Sequence, residues 1–501
     1  MRKLSAWRKS CFVVVLCTAN GIGAQAQTIT MLHSFYGPDG ALPYAGMIQG
    51  VDGNLYGTTL NGGAKNVGTI FKISPSHTFT TLYSFCSLSA CSDGSHPVAA
   101  LVLGRNGNFY GTTWMGGAHG SGTVFKITPA GVLTTLYSFC SLNACADGNS
   151  PEAPLIQATN GNFYGTTFGG GASGGDSNNG TVFEITPTGS LTTLYRFCLQ
   201  SGCPDGQYTY AGLLQATDGN LYGSTYLGGT SNHGTVYKIT PAGVLTTLHS
   251  FCSEAGCADG TQPQAGLVQG TNGNFYGTAS QGGISGGTCG SGFFGGCGTV
   301  FELSPTGTLT TLYQFCSQSE CTDGVHPVSG LVQGTDGNFY GTTPNAGAHG
   351  AGTVFTITPS GSFTNLFSFS CIHTGGGCPD GGTPYAGLMQ ATNGTFYGTT
   401  SVGGARPLAT RAGTVFSLSV GLGQFVEATP GSGKVGSGIK ILGTKLMGTT
   451  GVSFNGTPAV FKVVSTSLIA ATVPTGATTG FITVATPGGT LTSNVAFRVV
   501  Q

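Results

Sequence analysis

This sequence is poor in charge. Only 7% of its 501 residues are Asp, Glu, Lys or Arg, and 17 bases balance 17 acids. Without a basic excess or a basic run, nucleic-acid binding is not expected. No apolar run is long enough to cross a bilayer as a helix, so no membrane span is expected. Glycine is plentiful at 89 residues, yet it does not recur at every third position, which excludes collagen. No His-Glu-x-x-His pair, Walker loop or Cys-x-x-Cys-His motif occurs, so zincin, P-loop and covalent-haem chemistry find no footing. No cofactor is expected. What is present is apolar: 39% hydrophobic and 10% aromatic residues, too many for a disordered chain. Together with Gly and Thr they point to short strands joined by turns.

The first residues read as an address. Arg2, Lys3, Arg8 and Lys9 precede an apolar run from Cys11 to Ala19, and Ala24-Gln25-Ala26 offers small residues for cleavage. This predicts a signal peptide over 1–26 and an exported, mildly acidic mature chain.

Three motifs then recur. One close to Asn-Phe-Tyr-Gly-Thr-Thr starts at Asn54, Asn108, Asn162, Asn220, Asn274, Asn338 and Thr395, at intervals of 54 to 64 residues. Gly-Thr-Val-Phe follows each time, from Gly68 to Gly413, and Leu-Thr-Thr-Leu-Tyr-Ser-Phe closes the unit, for example at Phe139. In the second repeat the pattern predicts strands Val98–Leu103, Asn108–Thr113, Thr123–Thr128 and Leu133–Phe139. The Asn106-Gly107 and Pro129-Ala130-Gly131 turns separate the first and last pairs. A four-stranded meander repeated seven times matches the blades of a β-propeller, with a solenoid as the competing architecture. The seventh repeat lacks its fourth strand, and a spare copy ends at Phe35. That copy can complete the last blade and leave no open edge, so an all-β, seven-bladed propeller over 28–418 is expected.

The repeat intervals holding the tight turns are constant, and all insertions fall in two other connections that share one rim. That rim is the expected binding face. Its longer loops, Gly169–Asn179, Gly282–Cys297 and Gly403–Ala412, supply the candidates. Phe293 and Phe294 suit stacking on a sugar or packing on a protein, Arg406 and Arg411 suit an anion, and His119 lies on an equivalent loop. For each the plainer reading is a solvated or tucked loop residue. Seven Asp-Gly pairs, from Asp39 to Asp380, form a ring on this face. It is read as structural turns, with calcium as the alternative. Glutamates, among them Glu152, are scattered, so no catalytic pair stands out.

Beyond the leader, fourteen cysteines form local pairs. Cys86 goes with Cys91, Cys140 with Cys145, Cys198 with Cys203, Cys252 with Cys257, Cys289 with Cys297, Cys316 with Cys321, and Cys371 with Cys378. In an exported chain these read as disulfides, clips that stiffen the loops between repeats, with zinc as the alternative.

The run Asp-Gly-x-x-Pro…Gly-Asn-Phe-Tyr-Gly-Thr-Thr…Gly-Thr-Val-Phe-Lys-Ile-Thr-Pro-x-Gly, as in Asp93 to Gly131, resembles the GloVer tandem repeats of choice-of-anchor exported bacterial proteins. The resemblance implies a surface or extracellular location and transfers no activity. No hydrophobic anchor closes the chain at Gln501, so stable attachment is not expected. After a linker at 419–423, strands are predicted at Gly438–Gly443, Val452–Asn455, Ala459–Ser465, Leu468–Val473, Gly480–Thr486 and Asn494–Val499. Pro430-Gly431, Val452-Ser453-Phe454-Asn455-Gly456 and Val473-Pro474 resemble an IPT/TIG domain, which implies an immunoglobulin-like sandwich over 424–501. The functional expectation is a monomeric secreted or cell-surface binding protein for a glycan or extracellular protein. An extracellular polysaccharide enzyme and a structural envelope protein are the alternatives.

Overall fold

The computed structural model describes residues 27–171, 179–283, 289, 295–371, 378–404 and 412–500. Among them the repeats form seven four-stranded antiparallel sheets, six of them in sequence order. In the second, Val102–Leu103, Phe109–Thr113, Thr123–Ile127 and Leu133–Ser138 pair in that order. The expected strand from Val98 shrinks to two residues. In most repeats the backbone ahead of this inner strand presses on the preceding repeat instead of joining a ladder, as Gly387 does on the carbonyl of Gly330.

The seventh sheet joins both ends of the repeat region. Met389–Gln390, Phe396–Thr400 and Thr414–Ser419 are completed by Thr28–Ser34, antiparallel from Thr28 opposite Ser419 to Ser34 opposite Thr414. Phe35 then packs on Phe71 of the first sheet with ring centres 5.3 Å apart. Phe85 on Phe125 and Phe369 on Phe416 make the same contact at 5.3 Å in other repeats.

The paired aromatics explain why strands in this chain are apolar on both faces. The buried tyrosine of one repeat lies against the buried phenylalanine of the next: Tyr56 on Phe109 at 4.1 Å, Tyr110 on Phe163 at 4.0 Å, Tyr340 on Phe396 at 4.2 Å. The glycine after each such tyrosine makes room for the third-strand phenylalanine of the same repeat, since a Cβ at Gly111 would lie 2.6 Å from Phe125 Cζ. A glutamine ladder ties the inner strands. Arg105 N–H donates to Gln157 Oε1 (2.9 Å), Thr159 to Gln215 (2.8 Å) and Thr335 to Gln390 (3.1 Å). Thr392 donates to Gln49 (3.0 Å), from the seventh sheet to the first.

Past Ser419 the chain forms two further four-stranded sheets. One orders Glu427–Thr429, Gly438–Leu442, Leu468–Thr472 and Phe461–Val463; the other orders Thr457–Pro458, Gly451–Phe454, Ile482–Thr486 and Gly489–Thr492. A parallel pair, Ser432–Lys434 with Arg498–Val500, joins them. Ile441, Phe454, Ile469, Ile482, Val484 and Phe497 share one buried core. The strand expected at Asn494–Val499 begins only at Arg498, and the strand Gly489–Thr492, which forms a hairpin with the expected Ile482–Thr486, was not expected. The hairpin turns at Pro487-Gly488, where the sequence shows loop residues rather than a strand. This unit sits against the tight-turn rim. Phe425 N–H donates to Thr392 O (3.0 Å), Ser467 Oγ to Val51 O (3.1 Å), and Leu442 is buried with Leu103 and Phe109.

Candidate binding site at the loop-face mouth

After each Asp-Gly the chain turns inward through a residue in the left-handed region. Leu42, His96, Ser150, Tyr208, Gln262, His326 and Thr383 have φ between 53° and 61°. The carbonyl of that residue accepts the N–H of the residue just after the second strand, as in Trp114 to His96 (3.1 Å), Phe168 to Ser150 (3.0 Å) and Tyr226 to Tyr208 (2.8 Å). Two residues further on stands a third variable position: Tyr44, Val98, Glu152, Tyr210, Gln264, Val328 and Tyr385. In each repeat these three positions fall in the connections of the loop face.

The repeats differ in what they place there. Phe168 stacks on Tyr208 (4.9 Å, 21°) and tilts against Tyr210 (4.8 Å), while Tyr226 meets Tyr210 edge-on (5.3 Å, 87°). Tyr44 and Tyr385 meet edge-on across the junction of first and seventh sheets (5.0 Å), and His96 faces Trp114 (6.3 Å). The rings are half-buried to exposed. Burial pushes the Glu152 carboxyl up to about 7. Tyr210 is pushed up to about 12, first by burial, then by the Glu152 charge and the neighbouring Tyr226 and Tyr208. Burial lowers His96 and His326, which favours neutral imidazoles.

Below these rings the backbone closes in. A Cβ at Gly387 would lie 3.0 Å from Gly330 O, at Gly330 3.2 Å from Gly266 O, at Gly266 3.3 Å from Gly212 O, and at Gly46 3.3 Å from Gly387 O. The main chains of neighbouring repeats are thus closely packed at these glycines.

The Asp-Gly carboxylates are turned to the scaffold. Asp147 accepts Tyr137 Oη (2.8 Å), Ser141 N (2.9 Å) and Oγ (2.9 Å), and Leu142 N (3.2 Å). Asp93, Asp259 and Asp323 repeat the pattern. They do not cap their own turn; they clamp the loop six residues upstream. Burial alone would raise the Asp147 pKa, but these hydrogen bonds outweigh it and hold it below the usual value.

All seven expected cysteine pairs are disulfides. Six of them bridge the loop ahead of an Asp-Gly: Cys86 with Cys91, Cys140 with Cys145, Cys198 with Cys203, Cys252 with Cys257, Cys316 with Cys321, and Cys371 with Cys378. The seventh, Cys289 with Cys297, lies beside Cys316 and Cys321, with the sulfurs within 4.8 Å. Such bonds form in an oxidising compartment. The expectation of simple clips within the loops between repeats is corrected in one respect, which concerns the second cysteine of each pair. In the six pairs ahead of an Asp-Gly its carbonyl accepts two glycine N–H groups, one from the Asp-Gly turn and one from the connection after the second strand. Cys91 O takes Gly94 and Gly117 (2.9 Å each), and Cys145 O takes Gly148 (2.8 Å) and Gly171 (2.9 Å). Cys203 O takes Gly206 (3.0 Å) and Gly229 (2.9 Å), and Cys378 O takes Gly381 (3.0 Å) and Gly404 (2.8 Å). Each of these six disulfides thus sits at a joint between the two loop families of the face, which cysteine spacing alone does not reveal.

Of the residues singled out in the sequence, His119 is exposed, and the structure brings it to none of these rings among the described residues. Phe293, Phe294, Arg406, Arg411 and the leader lie outside the described residues. Tyr44, Trp114, Phe168, Tyr210 and Tyr385 were missed. Aligning the repeats and reading the fifth residue after each Asp would have exposed three tyrosines and a glutamate where other columns are nearly constant.

Repeated four-stranded antiparallel sheets of this kind define an all-β, propeller-like protein. The chain belongs to the Gloeobacter/Verrucomicrobia repeat family, whose model matches residues 19–173, 87–290 and 286–457. A comparison with curated proteins gives no significant match. Among solved structures it is similar to the extracellular domain of a putative hybrid two-component system from B. thetaiotaomicron (13% identity, 94% of this chain and 54% of that one, TM-score 0.48). It is also similar to a putative 6-phosphogluconolactonase from Bacteroides uniformis (14%, 73% and 98%, 0.41) and to a periplasmic gluconolactonase from Pseudomonas aeruginosa (15%, 63% and 81%, 0.39). Among the described residues no helix is long and apolar enough to cross a membrane.

Proposed function

We propose that this is an exported glycan-binding protein: a seven-bladed β-propeller zipped by Thr28–Ser34, carrying an immunoglobulin-like IPT/TIG module over 424–501. The glycan binds at the loop-face mouth. The single observation that carries this reading is the cluster of Phe168, Tyr208, Tyr210 and Tyr226 beside Glu152, with Tyr44–Tyr385 and His96–Trp114 on other repeats. Rigid aromatic faces with polar edges suit sugar rings, whose C–H faces stack while their hydroxyls seek carboxyl, imidazole and phenol groups. Seven disulfides support export. A second reading, polysaccharide cleavage with Glu152 as the acid, draws on its raised pKa. Stacking needs no second carboxylate and is preferred.

The test is a glycan array probed with the mature chain, Tyr210→Ala, Trp114→Ala and Phe293→Ala/Phe294→Ala. Tyr210→Ala should weaken any captured glycan about 30-fold, as loss of a central aromatic anchor does. Undiminished binding by Tyr210→Ala and Trp114→Ala would refute the mouth as the site. Loss in the Phe293/Phe294 variant alone would move it to the long loop.

A further inference from the structure

A cavity lies on the rim opposite the loops, where the C-terminal unit meets the tight turns of the repeats. Its volume is ≈ 730 Å³, within the range of ligand sites, and residues of both units line it. Arg105, Lys434, Lys440 and Lys462 are on its wall, and none of its lining residues is acidic. In a chain with only 17 basic residues, four in one cavity is a strong concentration. None of the four forms a salt bridge among the described residues.

Arg105 is held in place. Arg105 Nη2 donates to Ala158 O and Thr159 O (3.1 Å each), which fixes the guanidinium on the repeat side; its Nε has no hydrogen-bond acceptor among the described residues. Lys440 reaches the Asn106-Gly107 turn, where a Cβ on Gly107 would lie 3.1 Å from its Nζ. Lys434 and Lys462 are exposed at the edge. Clustered cations repel one another, so the arrangement costs free energy that an anion would recover. Burial already lowers the Lys440 pKa. The cavity is not purely ionic: Phe461, half-buried, and Val460, exposed, supply apolar wall beside the charges.

We propose that this cleft binds an acidic glycan, a uronate oligosaccharide, with sugar C–H faces on Phe461 and carboxylates on Arg105, Lys440 and the edge lysines. A bare phosphate would use the cations and leave the apolar wall idle. The site is separate from the loop-face mouth and does not depend on it.

Calorimetric titration of the mature protein with tetragalacturonate, maltotetraose and tripolyphosphate tests this. Expected is binding of tetragalacturonate and not of maltotetraose, weakened about tenfold between 20 and 300 mM salt as screening grows. The Lys434→Gln/Lys462→Gln variant, altered only at exposed positions, should keep its melting temperature and lose about tenfold in affinity. Tyr210→Ala should bind tetragalacturonate normally, which separates this site from the mouth. No binding of tetragalacturonate at low salt, unchanged affinity in the double variant, or tripolyphosphate binding as tightly as tetragalacturonate would each overturn the proposal.

Discussion

Glu152→Gln isolates the electrostatics of the loop-face mouth. The carboxyl sits among Tyr210 and its neighbours with a pKa of about 7 against an ordinary value of 4.5. The folded chain therefore holds the proton more tightly than the unfolded chain. Stability from this group is full below pH 4.5, shrinks as pH rises, and is lost above about 7. A shift of this size corresponds to roughly 3 kcal/mol, which partial water access cuts to about 1.5 kcal/mol. Glutamine keeps the shape and cannot ionise. At pH 8 the variant should thus be more stable by about 1.5 kcal/mol, a rise in Tm of about 3 °C, and at pH 4 it should match the parent. Thermal melts of both proteins from pH 4 to 9 measure this directly. Parallel pH profiles would refute the reasoning. A variant less stable at pH 8 would show that the carboxylate is held ionised by a cation, the opposite electrostatics.

Two further outcomes follow from the scaffold. Asp147→Ala strands the Ser141 and Leu142 N–H groups and should cost about 3 kcal/mol in denaturant titrations; a loss under 1 kcal/mol would mean that water replaces the carboxylate without penalty. Deleting Thr28–Ser34 bares the edge of Thr414–Ser419 and should yield a chain that self-associates by light scattering; a monodisperse, equally stable product would show that the N-terminal strand is dispensable.

The scaffold was legible because its signals repeat. Seven copies of Phe-Tyr-Gly or Leu-Tyr-Gly made the strands plain, and the spare copy ending at Phe35 showed where the missing partner of Thr414–Ser419 had gone. The mouth was not legible for the same reason. Attention to length variation led to the loops around Phe293 and Arg406, whereas Tyr44, Glu152, Tyr210 and Tyr385 vary in identity at fixed length. Glu152 looked isolated in a one-dimensional list. Only inward turns at residues such as Ser150 and Tyr208 bring its column together with the residues that follow the second strands. The buried aspartates looked like self-capping turns, and their six-residue reach to Ser87, Ser141 and Ser317 depends on how each disulfide loop folds back. Cysteine pairing was readable from spacing, but the joints at the Cys91, Cys145, Cys203 and Cys378 carbonyls are main-chain contacts and leave no side-chain trace.

The seam has a mechanical consequence. Thr28 faces Ser419 across the antiparallel pair, so the free end of one strand and the exit of the other lie side by side. Tension applied between the N-terminus and the C-terminal unit loads these hydrogen bonds one after another, as in unzipping, and not all at once, as in shear. Under load the repeat region should part first at this seam, while the other six sheets, each built from consecutive chain, keep their ladders.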